Sequence, residues 1–197
     1  MKLATITFFL LTEIFFYISY AEATRSGPDL CPTIISKRDW GGNAALRVGY
    51  TSKPLERVVI HHTVTPECAN EARCSSRMVS MQNYHMDELG YDDISYNFVI
   101  GGDGRVYEGV GWHKKGSHSP GWDSQSIGIA FIGDFTNKLP SREMLDAAKD
   151  LIVCAIELGE LTRGYKLLGA RNVKATKSPG DKLYREIQNW EGFTRRP

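Results

Sequence analysis

Two short apolar runs constrain this chain most: Arg57–Thr63 (RVVIHHT) and Ser126–Ile132 (SIGIAFI). Their β-branched content reads as buried strands, and such strands belong inside a sheet that other elements cover. The covering helices are also legible. Glu71–Leu89 places Met78, Met81, Gln82, His85 and Leu89 on one stripe, with Gly90 as its stop. Ser141 is positioned to cap a helix whose apolar stripe is Met144, Ala148, Leu151, Ile152 and Ala155. Asp181–Trp190 predicts a last helix with Leu183, Ile187 and Trp190 inward. Tyr96–Ile100, the turn Gly101–Gly104 and Arg105–Val110 predict a hairpin, and Leu167-Leu168 a short strand. Strands and helices mingle, so the expected fold class is α/β (mixed α+β): a single mixed central β-sheet flanked by helices.

Residues 1–23 read as a signal peptide. Lys2 precedes an apolar stretch through Tyr20, and Ala21-Glu22-Ala23 supplies the small-x-small cleavage pattern. Glu13 sits mid-segment, where an acidic group costs roughly 3 kcal/mol in a membrane span. No second apolar stretch of spanning length follows, so no membrane partner is expected. Residues 24–36 then read as an N-terminal arm and 37–197 as one domain. Secretion makes Cys31, Cys68, Cys74 and Cys154 two disulfides, for which three connectivities exist. Cys68 and Cys74 are close enough to pair locally, which leaves Cys31 with Cys154. No CxxC pair supports a zinc knuckle. With 24 basic against 23 acidic side chains, the formal charge is +1, too little to drive phosphate-backbone binding, so nucleic acid is excluded as a partner.

The histidines are the first candidates for chemistry. His61 and His62 are adjacent in a predicted strand, so they point to opposite faces and cannot both ligate one metal. One faces the covering helices and the other a cleft. His85 shares its stripe with methionines, which favours partial burial. His113 and His118 lie in the glycine- and serine-rich stretch Gly111–Gly121, read as a surface loop, where function concentrates. Tyr107, Trp112 and Trp122 nearby offer apolar faces with polar tips, as a sugar or peptide groove requires. Asp103 in Gly-Gly-Asp-Gly reads as a hairpin turn rather than a calcium loop. No GxSxG, Walker loop or HExxH is present, and no cofactor is called for.

Longer motifs then carry a resemblance. Arg38-x-Trp40-Gly41-Gly42, Val58-Val59-Ile60-His61-His62-Thr63, Asp93-Ile94-Ser95-Tyr96-Asn97-Phe98 and Gly104-x-Val106-Tyr107-Glu108-Gly109-x-Gly111-Trp112 occur in order. Gly128-Ile129-Ala130-Phe131-Ile132-Gly133 and Ser178-Pro179-Gly180-x-x-Leu183-Tyr184 continue them. Over roughly residues 31–194 the chain resembles the peptidoglycan recognition proteins, most of all the short secreted insect type that senses Gram-positive bacteria upstream of Toll signalling. The resemblance implies an amidase-like fold, a groove for a muramyl stem peptide, an extracellular (haemolymph-like) location and other secreted immune proteins as signalling partners. It also supports the Cys68–Cys74 bridge.

That family divides into zinc amidases and non-enzymatic receptors. Carried over, the amidase positions here are His61, Tyr96 and Thr176, which are kept, and Ala170 and Ser178, which stand where a histidine and a cysteine ligand are found. A methyl group cannot coordinate and a neutral hydroxyl is a poor substitute for thiolate, so the site reads as degenerate, with no metal and no amidase activity. A different class of reading is a weak stem-peptide hydrolase using Ser178 and Thr176, with His61 as base, or a residual metal. The implied peptidoglycan-binding residues are His61, His85, Gly90, Tyr91, Tyr96, Val110, His118 and Asp123. Val110 stands where members that prefer a diaminopimelate stem carry arginine, so the expectation is a lysine-type stem.

Overall fold

The computed structural model describes residues 31–197; residues 1–23, read above as a signal peptide, and 24–30 of the span read as an arm lie outside the described residues. Six strands form one sheet: β1 (Ile34–Ile35), β2 (Leu55–His62), β3 (Phe98–Ile100), β4 (Val106–Glu108), β5 (Ile127–Phe131) and β6 (Leu161–Gly169). Their order is β1-β4-β3-β5-β2-β6. β3 and β4 pair antiparallel through the expected hairpin, and every other neighbouring pair is parallel. Helices α1 (Glu71–Asn83), α2 (Arg142–Glu157) and α3 (Asp181–Ile187) cover it. Asn70 and Ser141 cap α1 and α2, each accepting a backbone N–H through its side-chain oxygen.

Alternation along the strands divides the interior in two. Val58, Ile60, Phe98, Ile129 and Phe131 face α2 and α3, packing with Leu151 and Leu183. Val99 and Ala130 face α1, packing with Met78, Met81 and Trp40. Each large apolar side chain buried in this way contributes roughly 1.5–3 kcal/mol. The same alternation sends His62 toward the first core and His61 toward the second.

Several sequence expectations are refined. Within the span read as an arm, Ile34 and Ile35 pair with Val106 and Tyr107, and Cys31 is bridged to Cys154. Cys68 and Cys74 form the second disulfide. Leu167-Leu168 proves to be the end of a nine-residue strand. The helix read over Glu71–Leu89 is α-helical only to Asn83 and then widens into a π-helical turn, Tyr84–Glu88. That extra residue per turn carries Leu89 off the stripe, leaving it 43% exposed. Gly90 does stop the helix, at φ +68°, in the left-handed region glycine tolerates. Tyr107, Trp112 and Trp122 form no common wall. Tyr107 points into the α1-side core and donates its hydroxyl to Asp103, Trp112 packs on Phe98, and Trp122 lies beside Arg57.

Two buried amides position the loops that carry the site. Asn97 accepts from Gly128 N–H and donates to the carbonyls of Gly111 and Lys114, holding the loop before His118 against β5. Gln82 bonds the backbone of Asn43 in both directions and donates to Asp93, which also pairs with Lys37. These bonds fix the segment from Tyr91 to Ile94.

Candidate functional site

On the α1 side of the sheet, rings from four segments stand in a row. His61, from the end of β2, shares a 3.2 Å hydrogen bond between its Nε2 and Nδ1 of His118. The His61 and Tyr96 ring centres are 5.3 Å apart, those of Tyr96 and His85 5.8 Å, and those of His85 and Tyr91 6.0 Å. Tyr91 is held there because its N–H donates to the His85 carbonyl across Gly90. Asp123 lies behind His118, with a carboxylate oxygen 3.7 Å from Nε2, and accepts from Ser119 N–H. Beside the row opens a cleft of about 250 Å³ lined by Thr63, Thr65, Arg77, Ser80, Met81, Tyr84, His85 and Tyr96.

Thus His61, His85, Gly90, Tyr91, Tyr96, His118 and Asp123 are brought into one neighbourhood. Val110 is not in that row. Its N–H donates to the Tyr96 carbonyl, while its side chain lines a second cavity of about 510 Å³ together with Lys37, Arg47, Asp92, Lys114 and Lys115. Ala170 is fully buried and opens a short 3₁₀ turn directly after β6. Ile60 pairs with Gly169, so Ala170 follows opposite His61. Ser178 Oγ accepts from the His62 backbone N–H at 3.1 Å, and Thr176 Oγ1 accepts from Ser178 N–H. No histidine ring nitrogen bonds Ser178 Oγ among the described residues. His62 points away and accepts Phe135 N–H at Nδ1, a packing role. Lys174 had no signal in the sequence: its ammonium donates to the His118 carbonyl from a loop 56 residues further along.

Burial makes the row electrically neutral. It pushes His61 well below the ordinary histidine value, and the neighbouring His118 and Lys174 add to the shift. His118 is pushed down to about 4 by burial, against the opposing pull of Asp123 and with Lys174 adding. His85 is pushed down to about 4 by burial, opposed by Asp93. Burial raises the Tyr96 phenol to about 12. Neutral imidazoles and a protonated phenol can both donate and accept, which suits amide and hydroxyl groups.

A pH dependence follows from these values. His85 and His118 titrate near 6.5 when unfolded and near 4 when folded, so the unfolded chain binds more protons between those values. Stability is full above about pH 6.5 and is lost as pH falls toward 4, by at most about 3 kcal/mol per histidine. Thermal unfolding between pH 7.5 and 4 should show Tm falling over that window. A flat Tm from pH 7 to 4.5 would contradict the burial argument.

Residues 51–181 match the Amidase_2 family, N-acetylmuramoyl-L-alanine amidase. The chain is 60% identical over 167 residues to peptidoglycan-recognition protein 2 of Holotrichia diomphalia, covering 85% of this chain and 89% of that protein. The solved structure of Drosophila peptidoglycan recognition protein SA superposes with a TM-score of 0.84 at 50% identity, covering 85% of this chain and 96% of that one. A complex of tracheal cytotoxin with the ectodomains of peptidoglycan recognition proteins LCa and LCx matches with a TM-score of 0.82 at 42% identity, covering 83% and 99%. The fold and the site define an amidase-like domain. The chain belongs to the peptidoglycan-recognition protein family.

Proposed function

We propose that this chain is a secreted, non-catalytic receptor that binds bacterial peptidoglycan and activates innate immune signalling through other secreted proteins, as in the Toll pathway. The observation that carries the reading is the neutral row His118–His61–Tyr96–His85–Tyr91 beside a cleft, in a domain whose relatives include a cytotoxin-bound complex. His61, His85, Gly90, Tyr91, Tyr96, His118 and Asp123 form the groove of this receptor, with Val110 at its margin.

The zinc centre that an amidase of this family implies does not fit these residues. Three protein donors are needed. Ala170 offers none, Ser178 Oγ is engaged by the His62 N–H, and His61 Nε2 faces His118. The serine-hydrolase alternative is disfavoured because Ser178 lacks a ring nitrogen to take its proton. The test is direct. Purified protein should bind a muramyl tripeptide by calorimetry, carry no stoichiometric zinc, and leave the lactyl–alanine amide intact after prolonged incubation. Stoichiometric zinc together with released stem peptide would overturn the receptor reading.

Val110 supports a lysine-type stem, because a carboxylate placed against it loses water and gains no partner. Val110→Arg should raise affinity for the diaminopimelate-type fragment about tenfold, a charge-assisted contact, and leave the lysine-type fragment within about twofold. Equal wild-type affinity for both fragments would remove the preference.

A further inference from the structure

Arg77 lies on the α1 stripe that continues through Ser80, Met81 and Tyr84, and all four line the cleft beside the histidine–tyrosine row. Its Nε is buried and has no hydrogen-bond partner. Arg57 and Arg171 also have an unpartnered buried Nε, but each of those guanidiniums reaches an acid through Nη1, Glu56 for one and Asp181 for the other. Arg77 makes no ion pair among the described residues. The other side chains lining the cleft are hydroxyls, phenols, a thioether and the imidazole of His85, none formally charged near neutral pH. A lone cation with an orphaned donor, on the wall of an otherwise neutral cleft, is a costly arrangement for a free protein. An anion in the cleft supplies the counter-charge the guanidinium lacks, through Nη donors that no acceptor among the described residues engages. Guanidinium geometry matches a carboxylate, which takes two parallel N–H donors.

We propose that Arg77 is the carboxylate-reading residue of this groove, taking a free carboxylate of the bound stem peptide on its guanidinium. The assignment rests on a stem peptide occupying the cleft. Stems offer two internal sources of that group. One is the second residue, charged as isoglutamate and neutral as isoglutamine. The other is the third, charged when it is diaminopimelate and not when it is lysine.

Three muramyl tripeptides with amidated C-termini separate the sources: isoglutamate–lysine, isoglutamine–lysine and isoglutamine–diaminopimelate. Calorimetry on the wild-type chain should show one carboxylate-bearing fragment binding about tenfold more tightly than isoglutamine–lysine. Isoglutamate–lysine is the one consistent with the lysine-type preference, and isoglutamine–diaminopimelate in its place would remove that preference. Arg77→Gln should bring that fragment down to the level of isoglutamine–lysine, whose own affinity stays within about twofold. Arg77→Lys should keep part of the advantage, because the charge stays while the paired geometry is lost. Whichever fragment loses affinity names the source. Equal loss for all three fragments would make Arg77 a packing residue, and no loss for any would remove it from the site; either overturns the proposal while leaving the receptor standing. Failure of the wild-type chain to bind any fragment would instead remove the groove reading, and this assignment with it. Melting curves for both variants should match the wild type.

Discussion

Replacing Cys31 and Cys154 together by alanine is expected to lower the unfolding free energy by about 5 kcal/mol, the largest stability change foreseen for a side-chain pair in this fold. The bridge spans a sequence separation of 123 residues, so breaking it restores the entropy of a long loop to the unfolded chain. The local consequence is as specific as the global one. β1 holds the sheet edge through two residues only, paired with Val106 and Tyr107. Without the bridge that strand has little to retain it, and β4 becomes the open edge. Urea unfolding should therefore show a lower midpoint, and hydrogen exchange should speed up at β4 before the rest of the sheet. Removing Cys68–Cys74, separated by only six residues, should cost about 2 kcal/mol on the same model. If the two removals cost the same, the loop-entropy account is wrong for this protein.

The second large effect is a gain. Ala170→His combined with Ser178→Cys should produce a chain that takes up about one zinc ion per molecule, against none expected of the wild type. The geometry supports it: Ala170 follows opposite His61 across the β2–β6 pairing, and Ser178 Oγ already touches the His62 backbone. With His61 the pair would supply three donors, the number at which zinc sites become stable. Each single replacement leaves two and should take up far less. Ala170 is fully buried, so the larger ring will cost about 1–3 kcal/mol in packing before metal is added. Elemental analysis after dialysis, with Tm measured with and without zinc, reads both terms. A double variant that folds yet takes up no zinc would show that positions 170 and 178 do not converge with His61.

What was legible from residue order had local causes. Ser141 caps α2 through its own side chain, Gly90 ends the α1 segment because only glycine sits easily at φ +68°, and Gly101–Gly104 turns the β3–β4 hairpin. The elements misjudged were those whose character depends on neighbours. β6 is an edge strand with one partner, so its middle can be polar and exposed, and Thr162–Lys166 gave no apolar run to read. β1 is too short to signal itself and exists through its pairing with β4. The π-helical turn left no mark in composition, although it decides that His85 reaches Tyr96 while Leu89 faces outward.

The site divides in the same way. Adjacent histidines at the end of a strand must point to opposite faces, so that only one of them could join Tyr96 and His118 on the α1 side was determined by His61-His62 themselves. The absence of a ligand at 170 and of a thiol at 178 was likewise a matter of residue identity, since no packing can give a methyl group a lone pair. Charge states were not. His61, His85 and His118 are neutral because the fold removes water from them, and Lys174 bears on them because a distant loop returns to the His118 carbonyl. In sequence Arg77 is one of many basic residues; only in the folded chain is its Nε enclosed without a partner on the wall of a neutral cleft. Residue order determined which atoms this protein owns. Tertiary structure decided which of them lost their water, and a polar group that has lost its water must find a partner in the chain or in a ligand.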